Sequence, residues 1–226
     1  MTELADPLQS PLRLPLLDVA ASLQLEVSDL QTDALLAYLA LLQRWNATYN
    51  LTSIRDAQGM LIQHVADCLA VVDPLNRHFA ALTTSNARLL DVGSGGGLPG
   101  AVIAVMCPSI TVVCVDTVGK KAAFIRQVAA ELKLRNLTGE HARVEALKLA
   151  PFDLITSRAF ASLADFVNLT RGLLAPQACW MAMKGKVPDA EIAALPTHVE
   201  VFHVEHLIVP KLNADRCLVW MKPTAS

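Results

Sequence analysis

The chain has 226 residues, of which 53% are hydrophobic and 18% charged, enough to bury one sizeable core and carry a small extension. Its formal net charge of -2 argues against a protein that coats polyanions wholesale, while leaving room for a local basic face. No basic run precedes an apolar segment at the amino terminus and no apolar stretch reaches the roughly eighteen residues of a membrane span, which predicts a cytoplasmic protein without an export signal or membrane attachment.

Residues 1 to about 72 read as helical. Ser28 with Gln31 three residues on forms a capping box, and Leu35, Leu36, Leu39, Leu42 and Trp45 follow at helical spacing. A polar turn from Asn46 to Arg55 leads to a second helix, capped by Asp56, that carries Leu61, His64, Val65, Cys68, Leu69 and Val72 and should end before Pro74. Trp45 suits a core position or a base-stacking platform, and Tyr49 in the turn suits either. Residues 1–86 are therefore expected to be a helical extension packed on a main domain of residues 87–226.

From Ala87 the texture changes. Short aliphatic or β-branched runs at 88–92, 110–116, 152–157 and 179–184 alternate with amphipathic segments, which predicts βαβ units, a parallel sheet and a doubly wound α/β fold. Two further strands, 198–209 and 217–221, lie too close together for a helix between them and should pair antiparallel. His203 and His206 look like metal ligands until placed on that strand, where they point to opposite faces. Cys68, Cys107, Cys114, Cys179 and Cys217 sit in apolar stretches without C-x-x-C spacing, so we expect buried thiols, no disulfides and no metal site.

The most informative segment is Leu89-Leu90-Asp91-Val92-Gly93-Ser94-Gly95-Gly96-Gly97-Leu98-Pro99-Gly100, a buried strand running into glycines and then a helix with Pro99 near its first turn. In an open sheet a ligand sits at the carboxyl ends of such strands. Gly95 to Gly100 fits the dinucleotide pattern G-x-G-x-x-G, but Asp91 ends the strand directly before the glycines, Asp116 ends the next strand, and no second substrate domain follows. These features favour S-adenosylmethionine, which has no pyrophosphate to seat on a helix but has a ribose diol that Asp116 can hold through two hydrogen bonds.

With that loop in place the sequence resembles the RsmG (GidB) family of 16S rRNA guanine-N7 methyltransferases over nearly its whole length. The resemblance is carried by Trp45-Asn46 with Tyr49-Asn50-Leu51-Thr52-Ser53, by His64 with Asp67, and by the glycine loop through Leu98-Pro99-Gly100. Gly119-Lys120-Lys121, Val144-Glu145, Ser157-Arg158-Ala159 and Lys184-Gly185 complete it. It implies that Gly93 and Leu98 line the S-adenosylmethionine site, with Asp91, Gly95 and Gly97 in the same loop, that Val144 and Glu145 contact the adenine, and that Arg158 faces the active cleft. It also implies 16S rRNA as partner, free or within an assembling small ribosomal subunit, and a monomeric enzyme. Cys68 departs from the serine usual after the aspartate, which affects the hydrogen bonding of that helix and not the chemistry.

Guanine N7 carries an in-plane lone pair and no proton, so methyl transfer to it requires alignment and no general base. Arginine ordinarily grips guanine at O6 and N7, an edge that here must face the methyl group. Arg158 is therefore expected to hold a phosphate or the cofactor carboxylate, while Asp67, Asn50 and backbone carbonyls are candidates for the N1 and N2 donors. His64 with Asp67 reads either as a catalytic pair or as a structural pair lining the pocket. Lys120 and Lys121 open a helix, where a cation is disfavoured unless something anionic, such as RNA phosphate, compensates. Lys184 joins them as a candidate RNA contact, whereas Arg126, Lys133 and Arg135 read as a solvated face. A small-molecule enzyme should instead have a closed lidded pocket, and a non-catalytic sensor should lack an open substrate face.

Overall fold

The computed structural model describes residues 10–81, 86–160 and 162–224. Helix α1 (Arg13–Ser22) leads to α2 (Asp29–Tyr49), which begins at the expected capping box: Gln31 N donates to Ser28 Oγ at 3.2 Å, and Ser28 N donates to Gln31 Oε1 at 3.0 Å. Leu35, Leu36, Leu39 and Leu42 are buried along one face of α2, and Trp45 packs half-buried on Phe124.

The next segment is less regular than its sequence pattern. Asp56 caps α3 (Ala57–Met60) through Gly59 N as expected, but a π-helical turn, Leu61–Ala66, intervenes before α4 (Asp67–Leu69). The helix breaks at Ala70 and Val71 and resumes as α5 (Val72–Ala80). Pro74 does not stop it, contrary to the sequence expectation. It lies in the first turn of α5, where a missing N–H costs nothing because those donors have no helical acceptor anyway.

Seven strands form one sheet: β1 (Arg88–Val92), β2 (Thr111–Asp116), β3 (Leu137–His141), β4 (Phe152–Ser157), β5 (Leu174–Lys184), β6 (Val199–Leu207) and β7 (Arg216–Pro223). Their order is β3-β2-β1-β4-β5-β7-β6. The first five are parallel, and β7 runs antiparallel between β5 and β6, as the missing helix between the last two runs predicted. Strand β3 was not foreseen. Helices α6 (Gly100–Met106), α7 (Gly119–Glu131), α8 (Leu163–Thr170) and α9 (Asp189–Ala193) complete the described α-helices.

The sheet is covered on both faces, which explains why its strands read as continuous apolar runs rather than alternating ones. Leu89, Cys114, Met181 and Leu218 point into one core, shared with α1, α2, α6 and α7. Their neighbours Leu90, Val115, Trp180 and Val219 point into a second, under α8. Successive residues alternate between cores because a strand turns its side chains over at each step. The amino-terminal helices thus share the first core with the sheet and do not form a separate one. All five cysteines are buried and unpaired.

Candidate active site

The chain leaves β1 for β2 on one side and returns as β4 on the other, so the order reverses between β1 and β4. Such a reversal opens a crevice at the carboxyl ends of the strands. A cleft of about 410 Å³ lies there, lined by Val92 and Gly93 at the end of β1, Val115 to Val118 at the end of β2, Ala142 to Glu145 after β3, and Ala159 and Phe160 after β4. That volume falls within the roughly 300–1,000 Å³ range of small-ligand sites.

The glycine loop holds its shape through backbone and buried side-chain bonds. Gly93 adopts φ 70°, a left-handed conformation, and a Cβ there would project into open space, so the glycine serves the turn and leaves the backbone bare toward the cleft. Asp116 is almost fully buried: Oδ2 accepts from Gly95 N at 3.0 Å and Oδ1 from Val118 N at 2.8 Å. Asp91 is completely buried beneath the loop and accepts from Gly100 N at 2.9 Å, while its other oxygen has no partner. Burial pushes its carboxyl up to about 6, against the pull of Gly100 N–H and the Arg158 charge. Gly100 is obligatory for close packing, since a Cβ would come within 2.3 Å of Cys114 Sγ. Tyr38 of α2, absent from the sequence-based site, donates its buried hydroxyl to Gly96 O at 2.7 Å and ties the helical extension to the loop.

The sequence-predicted cofactor residues therefore divide into two groups. Gly93, Asp116, Val144 and Glu145 line the cleft. Gly95, Gly97 and Leu98 lie in the loop and Asp91 in β1 beneath it, none of them in the cleft lining, and Arg158 faces the other way. Lys121 also lines the cleft, with Nζ 3.7 Å from Asp116 Oδ2, so a protein carboxylate supplies the anionic neighbour that its place at a helix start calls for. Lys120 is exposed one residue earlier.

Behind the segment Arg158-Ala159-Phe160 lies a second cavity, of about 380 Å³, lined by Ser53, Ile54, Gln63, His64, Asp67, Arg158, Met183, Lys184, Gly185 and Arg216. Consecutive residues line the two spaces: Arg158 belongs to the polar cavity and Ala159 to the cleft. Asp67, only 2% exposed, is held between two arginines, with Arg158 Nη1 at 3.3 Å from Oδ2 and Arg216 Nε at 2.7 Å from Oδ1. Arg158 also donates to Gln63 O and faces His64 Nδ1 at 3.4 Å. Burial, reinforced by the Arg158 charge, lowers His64 to about 4, leaving the imidazole neutral near pH 7; its Nε2 lies 2.7 Å from Thr52 Oγ1.

Asn46, 1% exposed, shapes the turn beside this cavity by donating to Ile54 O and accepting from Thr52 N, both at 2.9 Å. Asn50 caps α2 in a left-handed conformation, and its Oδ1 accepts from Arg55 outside the cavity lining. Lys184 lines the cavity with its ammonium on Glu191 at 2.8 Å. Cys68 is buried below, and burial raises its thiol well above the usual range. Arg216 was missed by sequence reasoning: it lies 149 residues from Asp67 in the chain, and no local motif marks it.

This sheet order, with a glycine loop after β1 and a carboxylate after β2, defines the doubly wound fold of S-adenosylmethionine-dependent methyltransferases. Solved structures that share it include MtfA and TrmN. The glycopeptide N-methyltransferase MtfA complexed with S-adenosylmethionine aligns over 67% of this chain and 93% of its own, with TM-score 0.55 and 11% identity. TrmN from Thermus thermophilus aligns over 72% of this chain, with TM-score 0.53 and 19% identity, and the match spans 53% of that longer protein. Residues 31–219 match the GidB family, described as rRNA small subunit methyltransferase G, and the chain belongs to that family. A protein of Leptothrix cholodnii called Ribosomal RNA small subunit methyltransferase G is 62% identical over 213 residues, covering 94% of this chain and 96% of its own. The one from Albidiferax ferrireducens is 59% identical over 212 residues, covering 91% and 94%. The chain is accordingly a methyltransferase, and its fold and family imply S-adenosylmethionine as methyl donor.

Proposed function

We propose that this protein transfers a methyl group from S-adenosylmethionine to N7 of one guanine in the 16S rRNA of the small ribosomal subunit, acting as a cytoplasmic monomer. The observation that carries this reading is the partition at Arg158-Ala159, which puts a cofactor-sized cleft against an arginine-lined polar cavity. A sensor has no use for the second space, and its guanidinium groups suit a substrate that carries phosphate.

The residues lining the cleft suit the donor. Asp116 would hold the ribose diol, Val144 and Glu145 the adenine, and the bare backbone at Gly93 the methionine end. Bound there, S-adenosylmethionine supplies an electrophilic methyl on sulfur. Gly95, Gly97, Leu98 and Asp91 act one layer back by fixing the loop.

In the polar cavity Arg158 binds a phosphate of the target nucleotide, and Asp67 with Arg216 fixes where that guanidinium stands. Asp67 is engaged by both arginines and Asn50 by Arg55, so the guanine N1 and N2 donors are left to backbone carbonyls around the cavity. His64, neutral, contributes a polar wall and moves no proton, in keeping with an acceptor nitrogen that has none to lose. Positioning carries the reaction, and effective molarities of about 10⁵ M or more are available to well-aligned partners.

The test is mass spectrometry of nucleosides from 16S rRNA of cells with and without the gene. One N7-methylguanosine should vanish with the gene and return with the wild-type chain but not with Arg158→Ala, which should still bind S-adenosylmethionine. An unchanged nucleoside profile would remove the proposal.

A further inference from the structure

A third space continues outward from the polar cavity, away from the cofactor cleft. It measures about 770 Å³, shares Gly185 and Arg216 with the polar cavity, and is bounded on its far side by the residues joining β6 to β7. The cleft, the cavity and this groove thus run in sequence along one edge of the sheet, past the ends of β2, β1, β4 and β5 and the start of β7.

Its lining is mixed in a particular way. Lys186 is cationic and His206 polar, against one carboxylate, Asp215, while the guanidinium of Arg216 is already engaged by Asp67. Beside them Ile208 is 88% exposed, with Leu207, Val209 and Leu212 forming an apolar wall. Asn213 adds a side chain that both donates and accepts. A lysine next to an exposed aliphatic surface suits a single strand of nucleic acid, whose phosphate takes the charge while an unstacked base covers the apolar side chain. The groove is also continuous with the cavity assigned to the target nucleotide, so any strand delivering that nucleotide must leave along a neighbouring surface.

Building on the proposed RNA activity, we infer that this groove seats the nucleotides flanking the methylated guanine, with Lys186 on a phosphate, Ile208 against a base and Asn213 at a base edge. These residues touch neither the cofactor cleft nor the polar cavity, and they select the substrate strand rather than take part in the transfer.

The experiment uses the full chain and whichever of deproteinised 16S rRNA and small subunits the wild type methylates. A triple variant, Lys186→Glu, Ile208→Ser and Asn213→Asp, changes only exposed positions. Its KM for RNA should rise about tenfold with the Kd for S-adenosylmethionine unchanged. In Lys186→Gln alone, the slope of log(kcat/KM) against log salt should flatten by about 0.7 for the one phosphate that position 186 no longer neutralises. As a second readout, a photoreactive benzoylphenylalanine at position 208 should crosslink to nucleotides adjacent to the methylated guanine. Wild-type RNA kinetics in the triple variant would overturn the inference. So would a crosslink to a ribosomal protein, which would make the groove a protein-docking surface, or to RNA remote from the target. If the wild type methylates no RNA at all, the parent reading falls and takes this one with it, an outcome distinct from methylation that ignores the groove.

Discussion

Asp91 and His64 carry shifts of opposite sign, and replacing Asp91 by Asn should make the difference visible. Asp91 has its folded-state pKa raised from 3.8 to about 6 by burial. It binds a proton more tightly folded than unfolded, so its contribution to stability is full below about pH 3.8 and is lost as pH rises toward 6. His64 is lowered from 6.5 to about 4, so its contribution is full above about pH 6.5 and is lost as pH falls toward 4. Between pH 4 and pH 6 each amounts to about 2 kcal/mol, allowing for the rounding of both titrations at the ends of the window, and the two nearly cancel. Asp91→Asn keeps an acceptor for Gly100 N and puts an amide where the carboxylate oxygen has no partner. The stability of the variant relative to wild type, from urea unfolding, should increase by about 2 kcal/mol from pH 4 to pH 6 and then level off. A difference that stays constant across this window would refute the assignment of Asp91 as a buried carboxyl that ionises at a cost.

Three further substitutions follow from contacts in the site. Asp67→Asn removes the charge held by Arg158 and Arg216; breaking a fully buried pair costs about 3–5 kcal/mol, and because both guanidiniums are about a quarter exposed we expect about 2 kcal/mol by urea unfolding. A loss below about 0.5 kcal/mol would place Asp67 outside the structural framework. Gly100→Ala should cost about 1–3 kcal/mol by overpacking against Cys114 Sγ and Asp91, and adding Cys114→Ala should return part of it because the nearest clashing atom is gone. If the second change returns nothing, the clash is not the cause. Asp116→Asn weakens two backbone hydrogen bonds to a carboxylate, each of a class worth about 1.5–3 kcal/mol, and loosens the loop at the cleft. Calorimetry should find S-adenosylmethionine affinity down at least tenfold with RNA affinity unchanged, and equal affinity would remove Asp116 from the cofactor site.

The parts of this fold that were legible in the sequence are those in which one local rule decides. The boundaries of β1 and β4, the capping box at Ser28 and the antiparallel end of the sheet each follow from neighbouring residues. Strand β3 was not legible because Leu137 to His141 is a short edge strand with two buried positions and alternating polar residues, too weak a pattern to separate from a loop. The π-helical turn at Leu61–Ala66 escaped because those residues suit an α-helix equally well, and no single side chain announces the wider winding. The glycine loop announced a ligand, yet which of its residues face the cleft depends on the turn geometry: Asp91 and Gly97 turn inward while Gly93 turns out. Arg216 and Tyr38 join the site only through tertiary contacts, 149 and 58 residues from Asp67 and Gly96 in the chain, a distance that motif reading does not bridge.

The lack of a proton to move has its own kinetic consequence. Guanine N7 offers a lone pair, so transfer moves the positive charge from sulfur to the guanine ring without releasing a proton, and no group near the partition has to accept one. His64 is already neutral above about pH 4, and Asp91 has lost its proton above about pH 6. Against the opposing effect of burial, Asp67 helps to raise Arg158, which keeps its charge throughout. The single-turnover rate of methyl transfer at saturating RNA and S-adenosylmethionine should therefore be level from about pH 7 to pH 8.5, rather than climbing tenfold per unit as it would if a side chain or water had to accept a proton. A limb of unit slope in that range would mean that a proton leaves the substrate during transfer. That would shift the target from N7 to a nitrogen that carries hydrogen, and would give the neutral His64, 2.7 Å from Thr52 Oγ1, a catalytic part that the present geometry does not require of it.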